Sequence, residues 1–282
     1  MTLPHKIMIS ALQKHDDGTI ELTVTVPQSV VAKTTDEVIN EHVKEALLPG
    51  FRKGMAPREA VEKSLDQDHL REDVLRKLLP QSYIEAVQEN KINPILNPKI
   101  HVEKLEDGKD WVFKAITAEA PVVVLKDYKT AVKSLTATSK IVVPGKEAQP
   151  VSFEAIAAVL LDNADVLIPS IIIEQEVDRL LSQTLDDVKK LGLSLDQYLA
   201  STGRNSEGLR QEYAKKAEND IKLEFILIKV AESQGIKVEE KEIDEAITQA
   251  KDEAERQNLS SNRYLLASII RQQKTLDFLK NL

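Results

Sequence analysis

The imidazoles that could act as general bases or metal ligands are His5, His15, His42, His69 and His101. Imidazole titrates near neutral pH and is the commonest metal ligand, so its placement is the first test for chemistry. None of the five stands at a ligand spacing with another, and no HExxH pattern occurs. Cysteine is absent, which excludes disulfides, thiolate metal sites and a sulfur nucleophile. The chain also lacks a Walker phosphate loop, a GxGxxG turn after a strand and a GxSxG elbow. Its 46 acidic residues alternate with 38 Lys and Arg along helical patterns, a solvated arrangement that singles out no carboxylate pair. The sequence contains no catalytic constellation, and nothing in it asks for a metal or cofactor.

One short stretch has binding chemistry instead. Residues 50–58 read GFRKGMAPR, with two cations together, an aromatic, two glycines, a proline and no carboxylate. Gly50 and Gly54 permit a tight loop with positive φ, and Pro57 stiffens its exit at a first helical position. Phe51 has no periodic apolar partners. Arg52 and Lys53 can hold phosphates or carboxylates, while Arg58 serves either as a further phosphate contact or as a solvated first-turn residue. Residue chemistry leaves two readings open: a helix–helix connector with Phe51 tucked into the core, or a binding tip in which an aromatic sits beside cations.

Such a basic loop is out of character for the whole chain, whose formal charge is -8. Residues 1–120 carry 16 cations and 20 anions, residues 121–150 carry 5 and 2, and residues 151–282 carry 17 and 24. An acidic C-terminal half repels phosphate backbones, so a general nucleic-acid binder is disfavoured and any basic contact must be local. With 42% hydrophobic and 30% charged residues the chain can fill cores and stay soluble. The first residues are not patterned as a signal peptide, and no apolar run approaches the ~18 residues of a membrane span. A soluble, cytoplasmic protein without membrane partners is expected.

The elements that must carry the loop follow from periodicity. KIMISA and IELTVTV flank His15-Asp16-Asp17-Gly18 as a hairpin, with Ile20, Leu22, Val24 and Val26 on one face. A helix is predicted from about Ser29 to Leu47, ended by Pro49-Gly50, and another from about Asp68 to Asn90 with a kink or break at Pro80. KIHVEKL and WVFKAITA, joined through Glu106-Asp107-Gly108, make a second hairpin. Residues 1–120 therefore read as an α+β domain. Residues 121–150, ending in IVVPGKEAQP, read as a linker. Residues 151–282 read as all-α, with a capped start at Ser194 to Gln197, a central helix near Leu209 to Ser233, one polar helix from Glu239 to Gln257, and a last helix carrying Leu265 to Leu279.

The loop GFRKGMAP resembles the ribosome-docking signature of the trigger factor family, written G-F-R-x-G-K-x-P. The likeness continues through AEAPVVVLKDYK, PSIIIEQEVDRLLSQTL, GLSLDQYLASTG, IKLEFILIKVAESQGIKVEEKEID and RQQKTLDFL, in family order over nearly the whole chain. It departs at Met55, where the family has lysine. The resemblance implies a ribosome-binding α+β domain followed by an all-α chaperone domain, acting without ATP to shield apolar segments of nascent chains. Phe51, Arg52 and Lys53 would dock beside the exit tunnel on large-subunit protein and ribosomal RNA, with Gly50, Gly54 and Pro57 shaping the loop. Ile171 and Ile172, which extend IPSIII beyond one helix stripe, are the weak candidates for client contact. The family's peptidyl-prolyl isomerase domain has no counterpart between linker and helices, so no enzyme is expected. A prolyl isomerase with an unrecognised pocket and a ribosome-independent helical chaperone or adaptor remain as alternatives, and a homodimer stays open.

Overall fold

The computed structural model describes residues 9–139 and 151–282, and the chain divides into two compact units, 1–120 and 121–282. The first unit runs β1 (Ile9–Lys14), β2 (Thr19–Val26), α1 (Gln28–Glu45), α2 (Arg58–Ser64), α3 (Gln67–Asn90), β3 (Lys99–Lys104) and β4 (Trp111–Ala118). Its strands form one antiparallel sheet in the order β1-β2-β4-β3. Register matches the alternation: Leu22 lies opposite Ala115, Val24 opposite Phe113 and Val26 opposite Trp111. These residues are buried in a single core with Val38 and Ile39 of α1 and Val74 and Leu78 of α3. One face of the sheet is thus covered by helices, as the period-two pattern requires.

Helix α3 continues through Pro80 without a break. Pro80 lies on the exposed side, where the carbonyl it leaves without a helical donor can be hydrated. Pro57 is the residue before α2 rather than its first turn, and its φ of -60 suits that position equally well.

The second unit contains β5 (Val123–Leu125), α4 (Tyr128–Ser139), α5 (Phe153–Asp162), β6 (Ala164–Val166), α6 (Ser170–Lys190), α7 (Leu195–Thr202), α8 (Ser206–Ser233), α9 (Glu240–Thr248), α10 (Glu253–Ser261) and α11 (Arg263–Lys280). It is helical apart from the antiparallel pair β5–β6, a ribbon that the all-α reading omitted. Part of the expected linker is therefore structured. Tyr128 and Val132 of α4 are buried with Ile156, Leu160 and Leu279, because YKTAVKSL has an apolar side that needs a partner. The stretch IVVPGKEAQP, residues 141–150, lies outside the described residues.

Helix α8 is central, burying Ala217 and Ile221 in one cluster and Ile226, Leu227 and Val230 in another. The capping box at α7 forms as its sequence demands, with Ser194 and Gln197 satisfying each other's backbone N–H groups. The single polar helix expected over 239–257 is instead two. The Asp252 side chain accepts from the Glu255 N–H at 2.7 Å and starts α10, and a cap there outcompetes continuation of the ladder.

Candidate functional site

The loop between α1 and α2 is built by two turns and one cross-link. The Phe51 N–H donates to the Leu48 carbonyl at 3.1 Å, closing a turn over Pro49-Gly50. The Met55 N–H donates to the Arg52 carbonyl at 2.9 Å, closing a second turn over Lys53-Gly54. Both turns place glycine third with positive φ, +88° at Gly50 and +74° at Gly54, the position where a side chain is strained. The Gly54 N–H then reaches back to the Ala46 carbonyl at 3.0 Å and ties the loop at its neck. A Cβ on Gly54 would stand 2.8 Å from the Lys44 carbonyl oxygen, whereas one on Gly50 would meet open space. Gly54 is required twice over, by conformation and by room.

This frame presents the tip outward. Phe51 is 45% exposed, so it does not fill the local core as the connector reading required. Arg52 is exposed and makes no ion pair among the described residues, and Lys53 reaches Glu45 at 3.3 Å with both groups well in solvent. Such an exposed pair is readily exchanged for another partner. Arg58 differs. Its guanidinium bonds Glu62 and Asp36, each at 2.5 Å, and those bonds, Glu62 first, raise its pKa. Arg58 holds α2 to α1 and is not a free phosphate contact.

Two exposed apolar side chains flank the tip, Leu47 at 78% and Met55 at 74%. The periodicity predicts a helix that runs to Leu47, but α1 ends at Glu45 and leaves Leu47 outside it. The last turn of α1 is itself held down, with His42 Nε2 2.9 Å from the Asp73 carboxylate on α3.

The client candidates fare differently. Ile171 is only 4% exposed, and Ile172 is partly buried against the cluster of Ile168, Val177, Ala217 and Ile221. Pro169 is the residue before α6, and in the first turn that follows Ile171 is buried and Ile172 partly so. Among the described residues no group of His, Cys, Asp and Glu is placed to hold a metal, and no helix is long and apolar enough to cross a membrane.

Comparison with known proteins decides the family. Residues 8–148 match the bacterial trigger factor protein, and residues 147–281 match the bacterial trigger factor C-terminus. The chain belongs to the trigger factor family. Trigger factors of Staphylococcus epidermidis (strain ATCC 35984) and Staphylococcus aureus (strain JH9) are 39% and 38% identical over 122 residues. That stretch covers 43% of this chain and only 28% of each relative. A solved structure described as "Promiscuous Substrate Recognition in Folding and Assembly Activities of the Trigger Factor Chaperone" superposes with a TM-score of 0.62, covering 97% of this chain and 99% of that one. At 12% identity that likeness speaks to fold alone. The two family matches meet at residues 147–148, with no chain between them.

Proposed function

We propose that the protein is an ATP-independent chaperone that docks at the ribosomal exit tunnel through Phe51, Arg52 and Lys53 and shields apolar segments of emerging chains. The observation that carries this reading is the exposed Phe51 beside an Arg52 without an ion-pair partner among the described residues, on a loop closed by two glycine turns. Aromatic and arginine side chains dominate interface hot spots, and an outward, pre-formed tip loses little entropy on docking. Gly50, Gly54 and Pro57 hold the shape. The partners are protein and RNA of the large subunit at one end and unfolded polypeptide at the other. We read the chain as having no prolyl isomerase domain, since the N-terminal and C-terminal family matches adjoin.

Co-sedimentation with purified ribosomes tests the docking. Changing Phe51, Arg52 and Lys53 together to Ala should weaken binding about tenfold or more while circular dichroism stays unchanged. Equal binding by the folded triple variant would reduce the loop to a connector.

A further inference from the structure

Three large apolar side chains stand in solvent on the short loop between α1 and α2: Leu47, Phe51 and Met55. Single exposed apolar residues are ordinary on a soluble protein, but a cluster marks a contact surface. The backbone gathers these three. The Gly54 N–H donates to the Ala46 carbonyl, and Leu47 and Met55 are the next residues after each, so both leave the chain at the neck. Between them the turns Leu48–Phe51 and Arg52–Met55 each bring their ends within about 7 Å. The three side chains thus project from one compact tip. The chain turns inward on either side of it, since Val38 and Ile39 on α1 and Ala56 and Val61 beyond the loop are buried. Apolar exposure belongs to the tip and is not the loose packing of its supports.

Charge around the tip argues against a phosphate partner. Residues 36–62 carry four cations and six anions. Arg58 is held by Glu62 and Asp36, and Lys53 is shared with Glu45. That leaves Lys44 and Arg52 without an ion pair among the described residues, amid acidic flanks that repel a nucleic-acid backbone. Apolar area is the larger resource of this surface.

We infer that Leu47 and Met55 are contact residues of the docking tip, joining Phe51 in an apolar face that seats on an apolar protein surface of the large subunit rather than on ribosomal RNA. The inference rests on the docking reading and narrows its partner. Three rotatable bonds let the Met55 side chain adapt to the surface it meets. The two glycine turns pre-form the backbone that carries all three side chains, which limits the ordering cost of binding. A contact of this kind has little salt dependence, whereas each phosphate contact releases counterions.

Ribosome co-sedimentation with the full-length chain tests it. Leu47→Ser with Met55→Ser should weaken binding about tenfold or more. The urea midpoint should hold, because both side chains are already in solvent. Leu47→Met with Met55→Leu keeps the apolar area and should restore most of the binding that the serine variant loses. Raising salt from about 50 to 200 mM should weaken wild-type binding less than about threefold, where two phosphate contacts would cost roughly tenfold. If the serine variant proves less stable, the salt dependence alone decides.

Wild-type affinity in the serine variant, or a steep salt dependence, would overturn the inference and leave the docking reading standing, provided that the Phe51, Arg52 and Lys53 triple variant still fails to bind. Equal affinity for protein-free RNA of the large subunit would overturn it too. So would a dimer in sedimentation velocity that the serine variant dissolves, since a second copy would then cover this face. A wild type that never joins ribosomes sinks the docking reading and this inference with it.

Discussion

The two units bury their apolar residues in different ways. In the first, sheet and helices share one cluster, from Ile20 on β2 through Val38 on α1 and Leu78 on α3 to Phe113 on β4. In the second, the described residues fall into three clusters, around Ile156 and Leu279, around Val177 and Ile221, and around Ile243 and Leu266. A single core couples β2 and β4 to α1 and α3, so these elements are expected to open together. Divided cores allow parts to open separately, which suits a surface that must accept varied partners. In the function proposed above, the unit that orients the docking tip gains from the first arrangement and the unit that meets unfolded chains gains from the second.

Core truncations break or sharpen that contrast most strongly. Leu22 is fully buried at the centre of the sheet, so Leu22→Ala should destabilise the first unit by about 2–5 kcal/mol. Hydrogen exchange should rise across β1, β2, β4, α1 and α3 together. Ile243→Ala, in the smallest cluster, should lie near the low end of that range, about 2 kcal/mol, because the site can collapse. Its faster exchange should stop at α9, α10 and the start of α11 and spare α8. Faster exchange throughout α8 would show that the second unit is as cooperative as the first.

The loop glycines give a smaller and sharper test. Gly50→Ala adds left-handed strain alone and should cost about 1 kcal/mol. Gly54→Ala adds the same strain and forces the Lys44 carbonyl to move, so it should cost about 2 kcal/mol and weaken ribosome binding by displacing the neck. Urea midpoints and co-sedimentation measure the two effects. Equal outcomes for the pair would mean that the neck does not fix the tip.

Much of this organisation was readable before folding. Both hairpins, the position of α8 and the cap at Ser194 follow from period and local chemistry, which act over a few residues. The glycines at 50 and 54 announced a turn of positive φ. What could not be read depends on partners distant in sequence. Ile171 looks like surplus hydrophobicity in the sequence and is buried only in the folded chain, and β6 is too short to declare itself without β5. Leu47 belonged by period to α1 and became exposed because the helix stopped at Glu45.

The smallest predicted effect is one of pH. Glu119, just past β4, ties the α3–β3 loop to β1, accepting from the Asn93 backbone N–H at 2.8 Å and from Lys14 Nζ at 2.9 Å. The Asn93 bond, then the lysine, hold its carboxyl below the usual glutamate range. A depressed folded-state pKa means that this stabilisation is complete above the unfolded value, about 4.3, and fades as pH falls through the folded one. In the second unit Glu242 is lowered by Lys274 and then by the Glu239 backbone N–H, so the sign is the same. Its bonds, however, tie only α9 to α11. Glu119→Gln should therefore lower the urea midpoint of the whole first unit at pH 7, with the gap to wild type closing as pH drops below the glutamate range. Glu242→Gln should do so only for exchange in α9. A Glu119→Gln gap that persists undiminished at pH 3 would show that the bond to Asn93 acts through shape rather than charge.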